Sequence, residues 1–388
     1  MTIQPPKYAQ YVLQTLENAG YQAYFVGGSV RDMLLQRRPQ DWDACTDALP
    51  EQVMACFPKT EPTGLKHGTV TVLSGGHRIE VTTFRTEGSY SDHRRPESVQ
   101  FVPDLKEDLR RRDFTVNAMA LSLRGGLTDL FGGRDDLAHK IIRCVGDPEM
   151  RFNEDALRML RALRFSAKLD FEIEENTKAA ILRCAPLAAA LAPERISVEL
   201  EQILRSKKPE TAALAFRWGL MDAYVSVRED IPDLRSLKRL PKTTLARWTG
   251  LCALLEISGI LQTEKFLRQL RLPTAVIRGA ASGVMNALDH APSCALDWKK
   301  ILAFEGEDTA YCTASAVEAL GSRNAFRTLE SIRMSGECVS LRQLAVDGKT
   351  LLERGYKGTE VGSTLHRLLE HVLEHPEDNT TEKLMGLI

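Results

Sequence analysis

Hydrophobic and polar positions divide this chain into a first part where two periodicities alternate and a longer second part where one prevails. Residues 6–19 place Ala9, Val12, Leu16 and Ala19 at helical spacing, and Gly20 stands where a helix would stop. The next apolar run, Tyr24-Phe-Val, reads as a strand that ends in Gly27-Gly28 and passes through Ser29-Val-Arg-Asp32 into a helix start. Nine residues after Asp32 a second strand is expected to carry Asp41-Trp-Asp43. Thr69-Val-Thr-Val-Leu73 and Arg78-Ile-Glu-Val-Thr82 alternate on either side of Ser74-Gly-Gly-His77, which has the chemistry of a hairpin. Residues 99–102 give a further short strand, and Leu109-Arg-Arg-Arg-Asp-Phe-Thr-Val-Asn-Ala118 sets three arginines directly before an apolar helical run. A small hairpin is expected around Gly125-Gly126 and a turn at Gly132-Gly133, and strand signals stop near Arg143.

From Gly146 onward the pattern is almost entirely helical. Asn153 is the expected cap of a helix whose Ala156, Met159, Leu160 and Leu163 form one apolar stripe. Ile196, Leu200, Ile203 and Leu204 mark another helix. Further helices are broken at Pro232, Pro241, Pro273 and Pro292, and the last ends near Glu374. There is no internal repeat and no low-complexity tract. At 388 residues the length points to two or three domains, and the order of elements to an α+β class with a small mixed sheet followed by helices.

Composition narrows the chemistry only a little. The 43% hydrophobic and 27% charged fractions are ordinary for a globular protein. A net charge of -1 excludes a generally basic nucleic-acid binder, so any polyanion must be met by a local patch. Eight cysteines without a Cys-x-x-Cys pair argue against a cysteine zinc site or a disulfide framework and read as reduced thiols. No leader pattern and no run of transmembrane length occur, and the expected compartment is the cytoplasm.

Candidate chemistry gathers around the glycine pair. Residues i and i+2 of a strand face the same way, so Asp41 and Asp43 would project together and hold a hard divalent cation such as Mg²⁺; the alternative is a solvated strand end. Gly27-Gly28 lets a backbone approach phosphates, or simply makes a tight turn. Were the Arg78–Thr82 strand antiparallel to the carboxylate strand or its neighbour, Glu80 would add a third acidic group; otherwise it is an exposed strand glutamate. The arginines at 110–112 are either a solvated run or an anion site against a helix start. Asp155 and Arg158, three apart on a helix, share a surface with Arg161 next along it, and the simplest meaning is an intrahelical ion pair. Residues 85–96 are polar and without periodicity, a length of loop that is usually functional or disordered.

Taken in order, Gly-Gly-Ser-Val-Arg-Asp32, Asp41-x-Asp43, Glu80-Val-Thr-Thr-Phe-Arg85, Arg111-Arg-Asp-Phe-Thr-Val-Asn-Ala118, Glu154-Asp-Ala-Leu-Arg-Met-Leu-Arg161 and Glu194-Arg-Ile196 resemble the class II CCA-adding enzymes, tRNA nucleotidyltransferases of the polymerase-beta-like superfamily. The resemblance is strong over the first half and fainter to the end. It implies a nucleotidyltransferase head over residues 1–145, a helical neck that recognises the base over 146–208, a helical body over 209–330 and a tRNA-binding tail over 331–388. Asp41 and Asp43 match the metal-binding carboxylates, with Glu80 where a third acid usually stands. Two Mg²⁺ ions would then activate the tRNA 3′-hydroxyl and brace the leaving pyrophosphate. Gly28 and Arg31 match triphosphate contacts, and Arg112 and Asp113 match the block for ribose and phosphates. In the same light Asp155 accepts from the exocyclic amine of C or A while Arg158 donates to the ring, so that CTP and ATP are chosen without a template; Arg161 and Arg164 match further positions near the nucleotide.

The loop at 85–96 matches a family loop linked to the switch from C to A. Competing expectations are a bacterial poly(A) polymerase, an enzyme that adds only A, and an inactive tRNA-binding protein on the same fold. With no His-Asp dipeptide in the chain, a phosphohydrolase domain is not expected.

Overall fold

A computed structural model describes residues 4–87, 99–124, 126–225, 231–257 and 262–388. Two compact units are present: Met1–Glu199 with Leu214–Ala223, and Leu200–Ala213 with Tyr224–Ile388.

The first unit holds the strands β1 (Ala23–Val26), β2 (Asp43–Thr46), β3 (Thr60–Gly64), β4 (Thr69–Ser74), β5 (His77–Thr83), β6 (Arg85–Glu87), β7 (Val99–Phe101), β8 (Met119–Leu121), β9 (Leu127–Asp129), β10 (Ile141–Ile142) and β11 (Glu172–Ile173). Seven of them form one mixed sheet in the order β3-β4-β5-β2-β1-β8-β9. The hairpins β4–β5 and β8–β9 form where the turn residues place them. Helix Lys7–Asn18 buries Ala9, Val12, Leu13 and Leu16, whereas Ala19 lies beyond its end and is exposed. The polar loop is outside the description over residues 88–98, as is Gly125 of the small hairpin; the flanks of the loop pair as β6 and β7.

Several local expectations are corrected. Strand β2 begins at Asp43, so Asp41 lies in an exposed bend before it and not on the strand. Strand β5 runs parallel to β2, not antiparallel, and sets Glu80 in register with Asp43. The three arginines end the helix Leu105–Arg110 instead of preceding one; a single 3₁₀ turn, Thr115–Asn117, and strand β8 follow. Gly132, in the left-handed region at φ 75°, caps an unanticipated helix, Gly133–His139. Asn153 is no cap: Asp147 caps Pro148–Glu154 through the Met150 N–H, the chain turns extended at Asp155 (φ -140°, ψ 103°), and a new helix runs Leu157–Leu169. Past Gly146, one strand remains among the described residues, β11, parallel to β10.

The second unit is helical. Thr244–Ile257 is apolar nearly all round and is accordingly buried. Its neighbours Thr274–Asp289 and Glu307–Ala319 approach closely because a Cβ on Gly283 would stand 2.5 Å from that of Cys312. The buried Arg247 gives its guanidinium to the carbonyls of Pro241, Leu204 and Leu240. A separate small core of Val346, Leu351, Leu369, Val372 and Leu384 holds the end of the chain around helix Thr359–Glu374. Among the described residues no helix is long and apolar enough to cross a membrane. The eight cysteines are free, with Cys294 exposed and most of the others buried.

Candidate active site

A cleft of about 500 Å³ in the first unit collects residues from the sheet, the turn after β1, the segment around Arg112, and the two helices that follow. Seven arginines and one lysine line it against three aspartates, Asp43, Asp113 and Asp155. A chain of net charge -1 thus carries a local excess of positive charge at this cleft.

The turn makes the first wall. Gly27 sits at φ 70°, where a side chain would be strained, and a Cβ there would lie 3.5 Å from Arg112 Nη1 and 3.8 Å from Asp43 Oδ2. The freedom of Gly27 thus brings the backbone to the carboxylate, while Gly28 opens the helix Gly28–Leu34 and also lines the cleft. Arg31, on that helix, is buried. It bonds Asp32 through Nε at 2.9 Å and Asn117 Oδ1 through Nη1 at 2.7 Å, and its guanidinium stands 5.5 Å from the Phe165 ring.

Next to Gly27, Asp43 is poorly compensated. Burial and the facing Glu80 push its carboxyl up to about 6, with Asp41 adding to the effect and Arg112 opposing it. Asp41 and Glu80 are exposed and do not line the cleft, so the structure brings the three acids near one another without converging them. Among the described residues, the grouping of three ligand-type side chains within 4.8 Å of one another lies elsewhere, in the tail.

Arg112 and Asp113 sit differently. Asp108, fully buried, accepts from Arg112 Nη2 at 3.1 Å and from Arg111 at 2.7 Å, while Arg112 Nε has no partner among the described residues. Asp113 accepts two bonds from Arg161, at 2.8 and 2.6 Å, and one from Asn117 at 3.3 Å. Burial alone would raise its carboxyl, but Arg161 overrides that and holds it at about 2. Paired in this way, the carboxylate keeps its charge.

The break at Asp155 forms the far wall. The simplest reading of Asp155 and Arg158, an ion pair between them, is not found among the described residues. Asp155 accepts from Arg195 Nη2 at 2.9 Å and from the Leu157 N–H at 3.1 Å. Arg158 is fixed by Glu154 and by the carbonyls of Arg151 and Arg111, each at 3.0 Å. Arg164 bonds Glu199 at 2.5 Å. Beneath these groups Phe165 carries the guanidinium of Arg164 at 4.2 Å and those of Arg31 and Arg161 at 5.5 Å.

All eight expected nucleotide residues therefore meet in one cleft, together with Asp43 of the three expected acids. Sequence reading gave no role to Asn117, Phe165, Lys168 or Arg195. Asn117 and Arg195 lie inside the quoted blocks, so a signal existed for them; Phe165 and Lys168 continue the helical face of Arg158 and Arg161.

Comparison with known proteins agrees along the whole chain. A family model described as the poly A polymerase head domain matches residues 23–143, one for a probable RNA-binding site of polymerase A matches 170–224, and one for tRNA nucleotidyltransferase domain 2 matches 240–388. The CCA-adding enzyme of Lactobacillus helveticus is 40% identical over 97% of this chain and 95% of its own length. That of Geobacillus kaustophilus is 39% identical over 98% and 96%. A crystal structure of the Bacillus stearothermophilus CCA-adding enzyme in complex with CTP superposes with a TM-score of 0.84 at 36% identity, covering 99% of this chain and 98% of that one. This chain belongs to the CCA-adding enzymes, tRNA nucleotidyltransferases with a polymerase-beta-like head and a helical remainder.

Proposed function

We propose that this protein adds C, C and A in turn to the 3′ end of tRNA from CTP and ATP, using the cleft between Gly27 and Asp155. The observation that carries the reading is the composition of that cleft: a poorly compensated carboxylate beside a glycine turn, a surplus of guanidinium groups, and an anchored Asp/Arg pair on the opposite wall. The work is divided between a catalytic head over residues 1–145, a base-reading neck over 146–208, a body over 209–330 and a tRNA-binding tail over 331–388, acting in the cytoplasm.

Asp41, Asp43 and Glu80 suit a hard divalent cation. They are all oxygen donors, and Asp43 is held beside Glu80 with too little positive charge to balance it. Asp41 and Asp43 would hold Mg²⁺, which supplies activation of the attacking 3′-hydroxyl and neutralisation at the phosphates. Arg31 and Arg112 take the triphosphate, the latter with an Nε–H left over for it, and the Gly27-Gly28 backbone lies against it. Asp113 accepts from the sugar, oriented by Arg161 and Asn117.

Base choice falls to Asp155 and Arg158. A carboxylate offers about four acceptor sites, so Asp155 can hold Arg195 and the Leu157 N–H and still accept the exocyclic amine shared by C and A. Uracil and guanine present a carbonyl there, which the carboxylate repels. Arg158 donates to the adjacent ring acceptor, while Arg161 and Arg164 extend the positive wall.

Purified protein incubated with Mg²⁺ and a tRNA ending at the discriminator base is expected to add two C residues with CTP alone and the full CCA with CTP plus ATP. No extension by C overturns the proposal, and long A tracts with ATP indicate a poly(A) polymerase instead.

A further inference from the structure

Metal-ligand side chains also gather far along the chain, in the tail, where the cleft does not use them. Helix Thr359–Glu374 carries His371 in its last turn and is capped by His375, four residues on, so both imidazoles stand on one side. The 3₁₀ turn Pro376–Asp378 then folds two carboxylates back to them. His371 Nε2 lies 2.8 Å from Asp378 Oδ2, and His375 Nδ1 lies 3.8 Å from Glu377 Oε1. One ring nitrogen of His375 and one oxygen each of Glu377 and Asp378 fall within 4.8 Å of one another. The two rings are 4.9 Å apart and tilted by 34°.

Two imidazoles and two carboxylates make an N₂O₂ set. Mg²⁺ prefers an all-oxygen octahedron, whereas Zn²⁺ takes such a mixed set in a tetrahedron. Bonds of about 2.0–2.1 Å put tetrahedral ligands roughly 3.3 Å apart, so the spacings among His375, Glu377 and Asp378 close by rotation of side chains, of which those of His375 and Glu377 are exposed, and His371 joins them from its place beside Asp378. One cation competes: Lys383 Nζ is 2.7 Å from Asp378 Oδ1. It also donates to the Glu377 carbonyl at 3.1 Å and keeps that partner when displaced.

We propose that His371, His375, Glu377 and Asp378 form a zinc-class site that clasps the end of helix Thr359–Glu374 to the turn behind it. The same helix places Leu369, Val372 and Leu373 in the small tail core with Leu384, so the ion would tie the outer side of a packed element whose inner side is already apolar. The site is independent of the cysteines, all of which are outside it.

The test uses the full-length protein stripped with EDTA and titrated with ZnCl₂ by calorimetry, and with Co²⁺ by visible absorption. One equivalent of Zn²⁺, tetrahedral Co²⁺ bands and a raised unfolding temperature are expected. His375→Ala should weaken binding at least about 10-fold and abolish the Co²⁺ bands, and Glu377→Gln should weaken it less. Cys294→Ser, which removes the exposed thiol, should change neither. Equal Zn²⁺ affinity and Co²⁺ spectra in the parent and in a His371→Ala/His375→Ala variant, checked for folding by circular dichroism, overturn the proposal. So does the absence of any tetrahedral spectrum in the parent.

Discussion

Two aspartates in one cleft are built in opposite ways. Asp43 is pushed up to about 6 by burial and by Glu80, with only Arg112 against them. Asp113 is more deeply buried yet is held at about 2, because Arg161 grips it with two hydrogen bonds. The chain itself leaves the first short of positive charge. The second is already neutralised, and its role is to stay in place. Stability and function should therefore diverge at Asp43 and coincide at Asp113.

The largest expected effect breaks that comparison open. Asp43→Asn should lower nucleotide addition by about 10³-fold or more, since under the proposed mechanism it removes a ligand for a Mg²⁺ ion that would stabilise the transition state by several kcal/mol. In metal-free buffer it should leave stability unchanged or raise it by about 1 kcal/mol, because a like charge leaves the group facing Glu80. Asp113→Asn should instead cost about 2 kcal/mol in urea unfolding at neutral pH, by stripping Arg161 of its partner. A carboxyl whose folded value lies below its usual 3.8 stabilises the fold above that value and loses the contribution as pH falls toward 2. The gap between parent and Asp113→Asn should accordingly be constant above about pH 5 and shrink below about pH 4. A destabilising Asp43→Asn, or a gap that does not narrow in acid, would remove the distinction.

A smaller effect sharpens the same contrast on the opposite wall. Arg195 holds Asp155 at 2.9 Å from another helix, with one Nη that has no partner among the described residues. Under the proposed reading of the base by Asp155 it is a positioning residue, so Arg195→Ala should act on discrimination more than on folding. The expected result is a fall of about 10-fold in kcat/KM for CTP and ATP, with increased incorporation of UTP and GTP and an unfolding temperature within a few degrees of the parent. Unchanged selectivity with lost stability would reduce Arg195 to a structural strut.

The sequence was legible where a signal is local. The β4–β5 hairpin is written in its own alternation and glycine pair, and the cleft residues are written in short blocks. What depended on distant partners was not. Nothing near Glu80 says that β5 runs parallel to β2, since that register follows from the whole sheet. Glu154 to Phe165 reads as one helix because its apolar residues recur at helical spacing, yet an upstream cap at Asp147 starts a helix that ends before Asp155. The consequence is that Asp155 turns to Arg195, 40 residues away, and not to Arg158. Gly27 and Gly28 look alike in sequence, and only the backbone shows which one needs the left-handed region. In each case the residue was visible and its partner was not.

Phe165 gives the finest test of how the positive wall is held. Repulsion among Arg31, Arg161 and Arg164 is partly offset by carboxylates, but all three guanidinium groups also lie against one ring, at 5.5, 5.5 and 4.2 Å. The ring face attracts each cation by about 0.5–2 kcal/mol and keeps them fanned around a common centre. Phe165→Leu retains most of the apolar bulk packed against Phe114 and removes only the π face. KM for both nucleotides should rise about 3-fold to 10-fold while kcat stays within about twofold, because the arginines would be less well aimed before substrate arrives. CTP and ATP should suffer alike, since the ring lies under the shared arginine wall and not under Asp155. A change confined to one nucleotide would place Phe165 in base choice, and an unchanged KM would leave the ring with packing alone.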